Sequence, residues 1–219
     1  MALRLGGPKA MSEPEGASRM AKPPARRGSL FSRRGMDAED QALVEAFKRG
    51  EDSAFTALVI KYREQVYRIA RRMLHGHEDA SDVAQDVFIR VHRALPGFRG
   101  RSALKTWLYR ITVNLCLDYA RRRGFRDVLT GLKELEWEPA LNDNPVEEAE
   151  RNELARTVRG AIDALPPRQR AMVVLRVYQD LPYAEVARIM GCAEGTVKAT
   201  MFAAMGKLRR TLAPLAESR

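Results

Sequence analysis

The chain is poor in cysteine and in long apolar runs, and each shortage excludes a class of protein. Cys116 and Cys192 are the only cysteines among the 219 residues and form no CxxC pair. This usage predicts buried thiols in a reducing compartment rather than a disulfide framework or a zinc site. No apolar segment approaches the roughly 20 residues needed to span a bilayer. The N-terminus also lacks the apolar stretch of a secretory signal, so we expect a cytoplasmic protein.

Motifs for catalysis and cofactor binding are missing as well. The Ser, His and Asp residues form no nucleophile motif, and no glycine-rich loop is present to cradle a phosphate. His75 and His77 flank a glycine in a predicted surface turn. Two histidines are too few for a structural zinc site, and no cysteine or carboxylate cluster with suitable spacing lies beside them. We therefore expect a protein that is not an enzyme and has no cofactor, metal or small-molecule substrate.

Basic residues exceed acidic ones, but the excess is concentrated near the N-terminus. Of the formal net charge of +10, residues 1–35 contribute +6 through two Lys, six Arg and two Glu. A basic excess favours a polyanionic partner, nucleic acid first and an acidic membrane second. Gly, Pro, Ser and Arg dominate this segment, so we interpret residues 1–36 as a disordered basic tail. Two other interpretations stay open, a start codon assigned upstream of Met36 and a transit peptide.

The remaining chain predicts an all-α fold of two small helical domains joined by a flexible acidic linker. Apolar residues recur with helical period, and nothing alternates with period two over a useful length. The first domain covers 37–125, the linker 126–148, which is rich in Glu and Pro, and the second domain 149–219. The predicted helices lie at about 38–48, 54–74, 79–95, 103–123, 146–165, 168–179, 183–190 and 194–210.

The last quarter of the chain has the residue spacing of a helix-turn-helix. Ala187 is the small residue required where the two helices cross, and Gly191 lies just past the first helix, where a positive φ costs glycine little. Val197 is placed to pack the second helix onto the first. The spacing predicts that the helix from about 194 enters a DNA major groove. An ordinary helical hairpin is the alternative for this segment alone.

The helix predicted over 79–95 has two contrasting faces. Ile89 stands among carboxylates on the polar face, a combination found on docking surfaces and also, by chance, on solvated faces. Asp79 also suits an N-cap or the first helical turn. The apolar stripe predicted to be core comprises Val83, Ala84, Val87, Phe88, Val91 and Leu95, and the opposite face comprises Asp79, Asp82, Gln85, Asp86, Ile89 and Arg93.

The helix predicted over 103–123 places Trp107, Arg110, Asn114 and Arg121 in a row. This row suits single-stranded nucleic acid, because an indole stacks on a base, an amide bonds a base edge and arginines hold phosphates. The alternative is that Trp107 belongs to the core and the arginines complement the helix C-terminus. The predicted core stripe beside this row comprises Leu104, Leu108, Ile111 and Leu115.

Together these segments resemble the bacterial extracytoplasmic-function sigma factors, the smallest members of the σ70 class. DASDVAQDVFIRVHRAL is similar to the family's region 2.2, and FRGRSALKTWLYRITVNLCLDYARRR to its regions 2.3 and 2.4. LPPRQRAMVVLRVYQDLPYAEVARIMGCAEGTVK is similar to its regions 4.1 and 4.2. The resemblance covers about 40–212. Three motifs in the right order and spacing are more specific than any one of them.

The resemblance implies a role for each surface. The acidic helix face would bind the clamp helices of the RNA polymerase β′ subunit, and the second domain would contact the β flap. The loop after 79–95 would hold a base flipped from the −10 promoter element, and the last helix would read the −35 element. The residues implied for polymerase binding are Asp82, Gln85, Asp86 and Ile89; those for the −10 element are Phe98, Arg99, Gly100, Arg101, Ser102, Ala103, Trp107, Arg110 and Asn114; those for the −35 element are Thr196, Lys198, Ala199, Phe202 and Ala203.

The resemblance also implies three partners: core RNA polymerase, promoter DNA and an anti-sigma factor, which in this family is often membrane-anchored. The implied location is the cytoplasm, at the nucleoid when the protein is bound to polymerase. Two other function classes stay open. One is a stand-alone helix-turn-helix regulator that binds duplex DNA without polymerase. The other is a nucleic-acid enzyme, against which the missing metal-binding and nucleophile motifs argue.

One departure from the family pattern lies in the recognition helix. After GTVK the family usually continues with several arginines, whereas this chain reads ATMFAAMGKLRR. Arginine supplies the commonest bidentate contact to guanine, so this helix has fewer groups for reading G·C pairs. We expect a weak or unusual −35 preference, with more reliance on the −10 element and the core enzyme.

Overall fold

The computed structural model describes residues 37–74, 76–130 and 155–217, and within these ranges all regular structure is helical. The predicted all-α class is therefore confirmed. The tail over 1–36, His75 and the linker from 131 onward lie outside the described residues. The helices are α1 Ala38–Lys48, α2 Asp52–Met73, α3 His77–Ala94, α4 Leu104–Thr130, α5 155–163, α6 Pro167–Val173, α7 Tyr183–Met190 and α8 Glu194–Glu217.

Local sequence explains where several helices begin and end. The Asp37 carboxylate caps α1 by accepting the backbone N–H of Glu39 at 3.4 Å. Pro96 follows α3, where the chain turns through a short 3-10 helix, Leu95–Gly97. α7 ends at Gly191, whose φ of +64° lies in the left-handed region that glycine enters without a Cβ clash. This last ending fixes the tight turn of the predicted helix-turn-helix.

Helices α1 to α4 pack into a first bundle. The stripe predicted on α3 supplies much of its core, since Val83, Val87 and Val91 are buried. The smaller and outer members of the stripe, Ala84 and Phe88, are half-buried against the same core. The prediction of this core face is therefore confirmed.

A buried carboxylate holds α1 on α2. Asp40 is buried, accepts a hydrogen bond from the Tyr62 hydroxyl at 2.6 Å and pairs with the Lys61 ammonium at 2.8 Å. Burial lowers the pKa of Lys61, but Asp40, Glu39 and Asp37 together outweigh this and raise it. Because the buried charge is both paired and hydrogen-bonded, it is tolerated inside the bundle.

Helices α5 to α8 form the second bundle, in which α7 and α8 make the helix-turn-helix. Ala187 is buried at the crossing and Val197 packs α8 back onto α7, as the spacing predicts. The helix predicted over 168–179 is instead α6 followed by a π-helical turn, Val174–Tyr178. Sequence alone gave no sign of this turn, because no glycine or proline interrupts the apolar run.

Two arginines of the second bundle meet the C-terminal end of α2. Arg170 donates to the carbonyl of Met73 at 2.9 Å, and Arg159 donates to the carbonyls of Arg71 at 2.9 Å and Leu74 at 3.4 Å. The last carbonyls of a helix have no partner within it and carry its negative dipole end, so guanidinium groups suit them. We call these contacts the α2 latch. It joins the two bundles within one compact unit.

Several predicted helix limits are wrong, among them the start of α2, which lies at Asp52 rather than Ala54. α4 continues to Thr130 rather than ending near 123, so the first residues of the predicted linker are helical. Gly124 follows Arg123 and is a residue type that often ends a helix, but an isolated glycine is tolerated within a helix and no proline follows. α8 likewise extends to Glu217, beyond the predicted end at 210. α3 begins at His77, which was predicted to lie in a turn.

Candidate nucleic-acid interface

The polar face of α3 is exposed as predicted. Asp82, Gln85 and Asp86 are exposed, and Ile89 retains 48% of its accessible surface among them. The arrangement gives an acidic surface with an apolar centre, which suits a partner that offers basic groups around an apolar patch. Asp79 does not belong to this face, although it was placed there. Its carboxylate accepts hydrogen bonds from Tyr119 and Arg123 and so ties α3 to α4.

The loop between α3 and α4 carries exposed cations above an aromatic pair. Arg99 and Arg101 are exposed, and Gly100 makes the turn between them with a φ of +66°. Phe98 is buried, with its ring centroid 5.0 Å from that of the half-buried Trp107. The Phe98 side chain thus supports the loop from below. Ser102 and Ala103, the last loop residues predicted to contact DNA, are half-buried.

Three residues of α4 contact the second bundle. The Thr106 hydroxyl donates to Glu185, and the exposed Arg110 donates to the backbone carbonyl of Arg188. The Tyr109 hydroxyl donates to Gln179 at 3.2 Å. Burial raises the pKa of Tyr109, which keeps the hydroxyl neutral and able to donate. Asn114, by contrast, is exposed.

Sequence reasoning missed Thr106 and Tyr109, although a signal was present. In the α4 segment LKTWLYRITVNLCL apolar residues extend well beyond the predicted stripe, and a helix with a wide apolar surface is buried on more than one side. Thr106, Tyr109, Thr112 and Val113 are all buried in addition to the predicted stripe. The second side faces another bundle, which periodicity within one helix cannot identify.

Over 194–213 the outer face of α8 is exposed except at Gly206, which is half-buried. Val197, Met201, Ala204 and Leu208 are buried and fix which side of the helix faces the core. Phe202 projects from the opposite side and is 85% exposed. All the residues predicted to contact the −35 element are exposed, namely Thr196, Lys198, Ala199, Phe202 and Ala203.

The cation nearest the start of α8 is paired. The Lys198 ammonium lies 2.8 Å from the Glu194 carboxylate, and this hydrogen bond raises the pKa of Lys198. Further along, Lys207, Arg209 and Arg210 are exposed in the part of the helix beyond Phe202. The basic groups therefore gather toward the C-terminal half of α8, at a position suited to phosphate contacts.

Other chemistries have little support. Within the described ranges no group of three or more His, Cys, Asp or Glu is placed to hold a metal ion. Burial raises the pKa of the Cys116 thiol to about 12, which suppresses its reactivity. Cys192 is half-buried. Among the helices that the structure describes, none combines the length and apolar character needed to cross a membrane.

The sequences of both bundles are similar to those of known proteins. The chain matches the family descriptions "Sigma-70 region 2" over residues 58–126 and "Sigma-70, region 4" over residues 155–208. It is 39% identical to the RNA polymerase sigma-H factor of Pseudomonas aeruginosa, covering 81% of this chain and 95% of that protein. It is 37% identical to the ECF RNA polymerase sigma-E factor of Escherichia coli K12, covering 80% and 95%.

Two solved structures share the fold. CnrH, in complex with the cytosolic domain of CnrY, aligns with a TM-score of 0.60 at 25% identity, covering 80% of this chain and 98% of that one. The sigma factor RpoE of Bartonella quintana, in complex with the anti-sigma factor NepR, aligns with a TM-score of 0.58 at 24% identity, covering 73% and 96%.

Proposed function

Because the chain belongs to the extracytoplasmic-function group of the sigma-70 family, we propose that it is a promoter-recognition subunit of bacterial RNA polymerase. In this role it binds the core enzyme, recognises the −10 and −35 elements and directs initiation at a specific set of promoters. It contributes binding and strand separation but no chemical step of its own. The observation that carries the proposal is the presence of both sigma regions, in order, on two helical bundles.

Two surfaces bind the core polymerase. The α3 face with Asp82, Gln85, Asp86 and Ile89 docks on the clamp helices of β′, and the second bundle docks on the β flap. Exposed acidic groups around Ile89 favour this, since charges steer association and a central apolar residue supplies burial.

The loop after α3 and the adjoining face of α4 hold a base from the −10 element. Arg99 and Arg101 are exposed for phosphate contacts, and Asn114 offers an amide to a base edge. Trp107 borders this surface and packs against Phe98 with the two ring planes tilted by 43°. The Trp107–Phe98 pair keeps the indole in a fixed position, so a base can stack there without first ordering the side chain.

Simultaneous recognition of both elements requires the bundles to separate. Arg110 and Arg188 contact one another, as do Tyr109 and Gln179. The −10 and −35 elements are about 25 base pairs apart, on the order of 85 Å at 3.4 Å per base pair. We therefore propose that the arrangement in this structure is a closed state and that the promoter-bound state is open.

An anti-sigma factor is a further proposed partner. The structures that share this fold include a sigma factor bound to an anti-sigma factor. By analogy such a protein, membrane-anchored in many family members, would cover the polymerase-binding surfaces. The proposed site of action is the cytoplasm, at the nucleoid when the chain is bound to polymerase.

In vitro transcription from a random promoter library tests the proposal. Bacterial core RNA polymerase is supplied with or without the full chain, and transcripts are sequenced. We expect initiation from promoters with shared −10 and −35 sequences only when the chain is added. Tight sequence-specific duplex binding by the chain alone, with no binding to core enzyme, would instead identify a stand-alone regulator.

A further inference from the structure

The outermost line of α8 is almost free of hydrogen-bonding side chains. At 100° per residue, the positions on the side opposite the buried stripe are Gly195, Ala199, Phe202, Ala203 and Gly206, followed along the helix by Arg210. Over 195–206 no position on this line carries a side-chain donor or acceptor. This inference rests on the proposed function, in which this line faces the edges of the −35 base pairs.

The polar groups on the flanks of α8 do not readily replace the missing donors. Lys198 lies to one side of this line, in an exposed ion pair with Glu194 at 2.8 Å that has little energetic weight. Arg209 and Arg210 lie in the C-terminal half, about two turns beyond Phe202, where the helix meets the phosphate backbone rather than base edges. Thr196 offers one hydroxyl at the opposite margin. Bidentate readout of guanine or adenine therefore has no side chain at the centre of the helix.

The two glycines of this line are not required by the protein's own packing. A Cβ added at Gly195 would meet no atom within 4 Å, and one at Gly206 would meet only the flexible end of Arg210 at 3.9 Å. Glycine within a helix is destabilising relative to alanine. Their use where the protein has room for a side chain is consistent with close approach of the backbone to a partner at this face.

Phe202 stands at the centre of this line with 85% of its surface exposed. Single exposed apolar side chains are common on protein surfaces, but covering a ring of this size with a partner removes apolar surface from water and favours binding. In the major groove one feature of the base pairs is apolar, the C5-methyl group of thymine, and Phe and Ala side chains are suited to contact it.

We propose that Phe202, flanked by Ala199 and Ala203, reads thymine methyl groups in the −35 element. Phe202 is then the specificity-determining residue of α8, and the element it selects is rich in A·T rather than G·C pairs at the central positions. This replaces recognition by bidentate hydrogen bonds with recognition by apolar contact.

The test uses promoters enriched from the random library and the holoenzyme assembled from core polymerase and the full chain. Each thymine of the −35 element is replaced singly by deoxyuridine, which removes the methyl group and leaves base pairing intact. We expect one or two positions at which promoter affinity falls about fourfold, the equivalent of the roughly 0.8 kcal/mol for burying one methylene-sized group. A promoter in which 5-methylcytosine replaces such a thymine should bind more tightly than one in which cytosine replaces it.

Two variants test whether the effect of removing the thymine methyl group depends on the Phe202 ring. In Phe202→Ala the affinity difference between thymine and deoxyuridine should disappear. Met205→Ala shortens another exposed apolar side chain on the flank of the same helix and should leave that difference intact. Circular dichroism checks that both variants fold.

The outcomes separate this inference from the proposed function. Chain-dependent transcription that is insensitive to deoxyuridine at every −35 position would overturn the methyl readout and leave the sigma function standing. Methyl readout would also be overturned, with the sigma function standing, if Phe202→Ala still distinguished thymine from deoxyuridine. A Phe202→Ala variant with unchanged promoter selection but weaker binding to another protein would lead to the same conclusion. Absence of chain-dependent transcription would instead remove the proposed function itself.

Discussion

The two helices proposed to face promoter DNA differ in what covers them. On α4, Thr106 and Tyr109 are buried and Arg110 contacts the second bundle. On α8, the outer face is exposed, with Phe202 at its centre. In the proposed closed state Arg110 of α4 is held by the second bundle, whereas Arg99, Arg101 and Asn114 remain exposed. We expect full access to the α4 part of the −10 surface to depend on opening, and access to the −35 surface not to.

Locking the bundles together should have the largest effect. Arg110→Cys with Arg188→Cys, in a Cys192→Ala background, allows a short thiol-cleavable bis-maleimide to join α4 to α7. Cross-linked protein should lose transcription by roughly a hundredfold, because a locked chain forfeits the gain of about 10²–10⁴ from linked binding events. The measurement is run-off transcription with core enzyme on a promoter that carries both elements.

The uncross-linked double variant is the control for loss of the Arg110 side chain. Cleaving the linker should restore activity to the level of that control. A cross-linked chain that transcribes as well as the uncross-linked one would show that the closed arrangement is compatible with promoter binding, and the contrast between α4 and α8 would fail.

A charge reversal on α3 should have the next largest effect. Asp86→Arg opposes the proposed basic partner surface, and affinity for core polymerase should fall roughly five- to thirtyfold, the range for losing about 1–2 kcal/mol at an interface centre. Fluorescence titration with core enzyme measures it. Asp86 is exposed, so thermal stability should change little.

Glu64→Arg is the matched control, since Glu64 is an exposed carboxylate on α2 whose pairing with Arg68 is a surface ion pair of little energetic weight. It should leave polymerase affinity near that of the wild type. Equal losses in both variants would indicate a general effect of charge rather than a docking face on α3.

Weakening the α2 latch should have the smallest effect. Arg159→Ala removes the donor to the carbonyls of Arg71 and Leu74, and Arg159 is only half-buried. We expect the closed state to lose about 1 kcal/mol of stability relative to the open state. This is less than a buried charged hydrogen bond contributes, because solvent screens the half-buried Arg159. That loss corresponds to a roughly fivefold larger ratio of open to closed chains. Single-molecule energy transfer between labels on the two bundles reports this ratio.

Arg63→Ala, which shortens an exposed arginine of α2, serves as the comparison variant. It should leave the open fraction unchanged. If Arg159→Ala does the same, the hydrogen bonds to the end of α2 do not hold the bundles together.

Sequence reasoning succeeded where the signal was local. Tyr183–Met190 was predicted to the residue, because a glycine with positive φ can end a helix at Gly191 at little cost. The α3 core stripe was correct, because periodicity reports the face that one helix buries. The exposed faces of α3 and α8 followed from the same rule.

Sequence reasoning failed where the structure of a residue depends on contacts with distant parts of the chain. Thr106 and Glu185 are 79 residues apart in sequence, and Tyr109 and Gln179 are 70 apart. Spacing within one helix carries no information on such pairs. The π-helical turn Val174–Tyr178 was missed for a related reason, since no residue type within that apolar run marks it.

The most direct test of the account is the distance between the bundles in the free and promoter-bound protein. Ser53→Cys on α2 and Thr211→Cys on α8 provide exposed labelling sites, with Cys192→Ala to limit labelling to them and the buried Cys116 left in place. Pulsed electron–electron double resonance measures the distance between spin labels at these two sites. The account predicts one short distance in the free chain and a much longer one in holoenzyme bound to promoter DNA. The same distance in both states would contradict it.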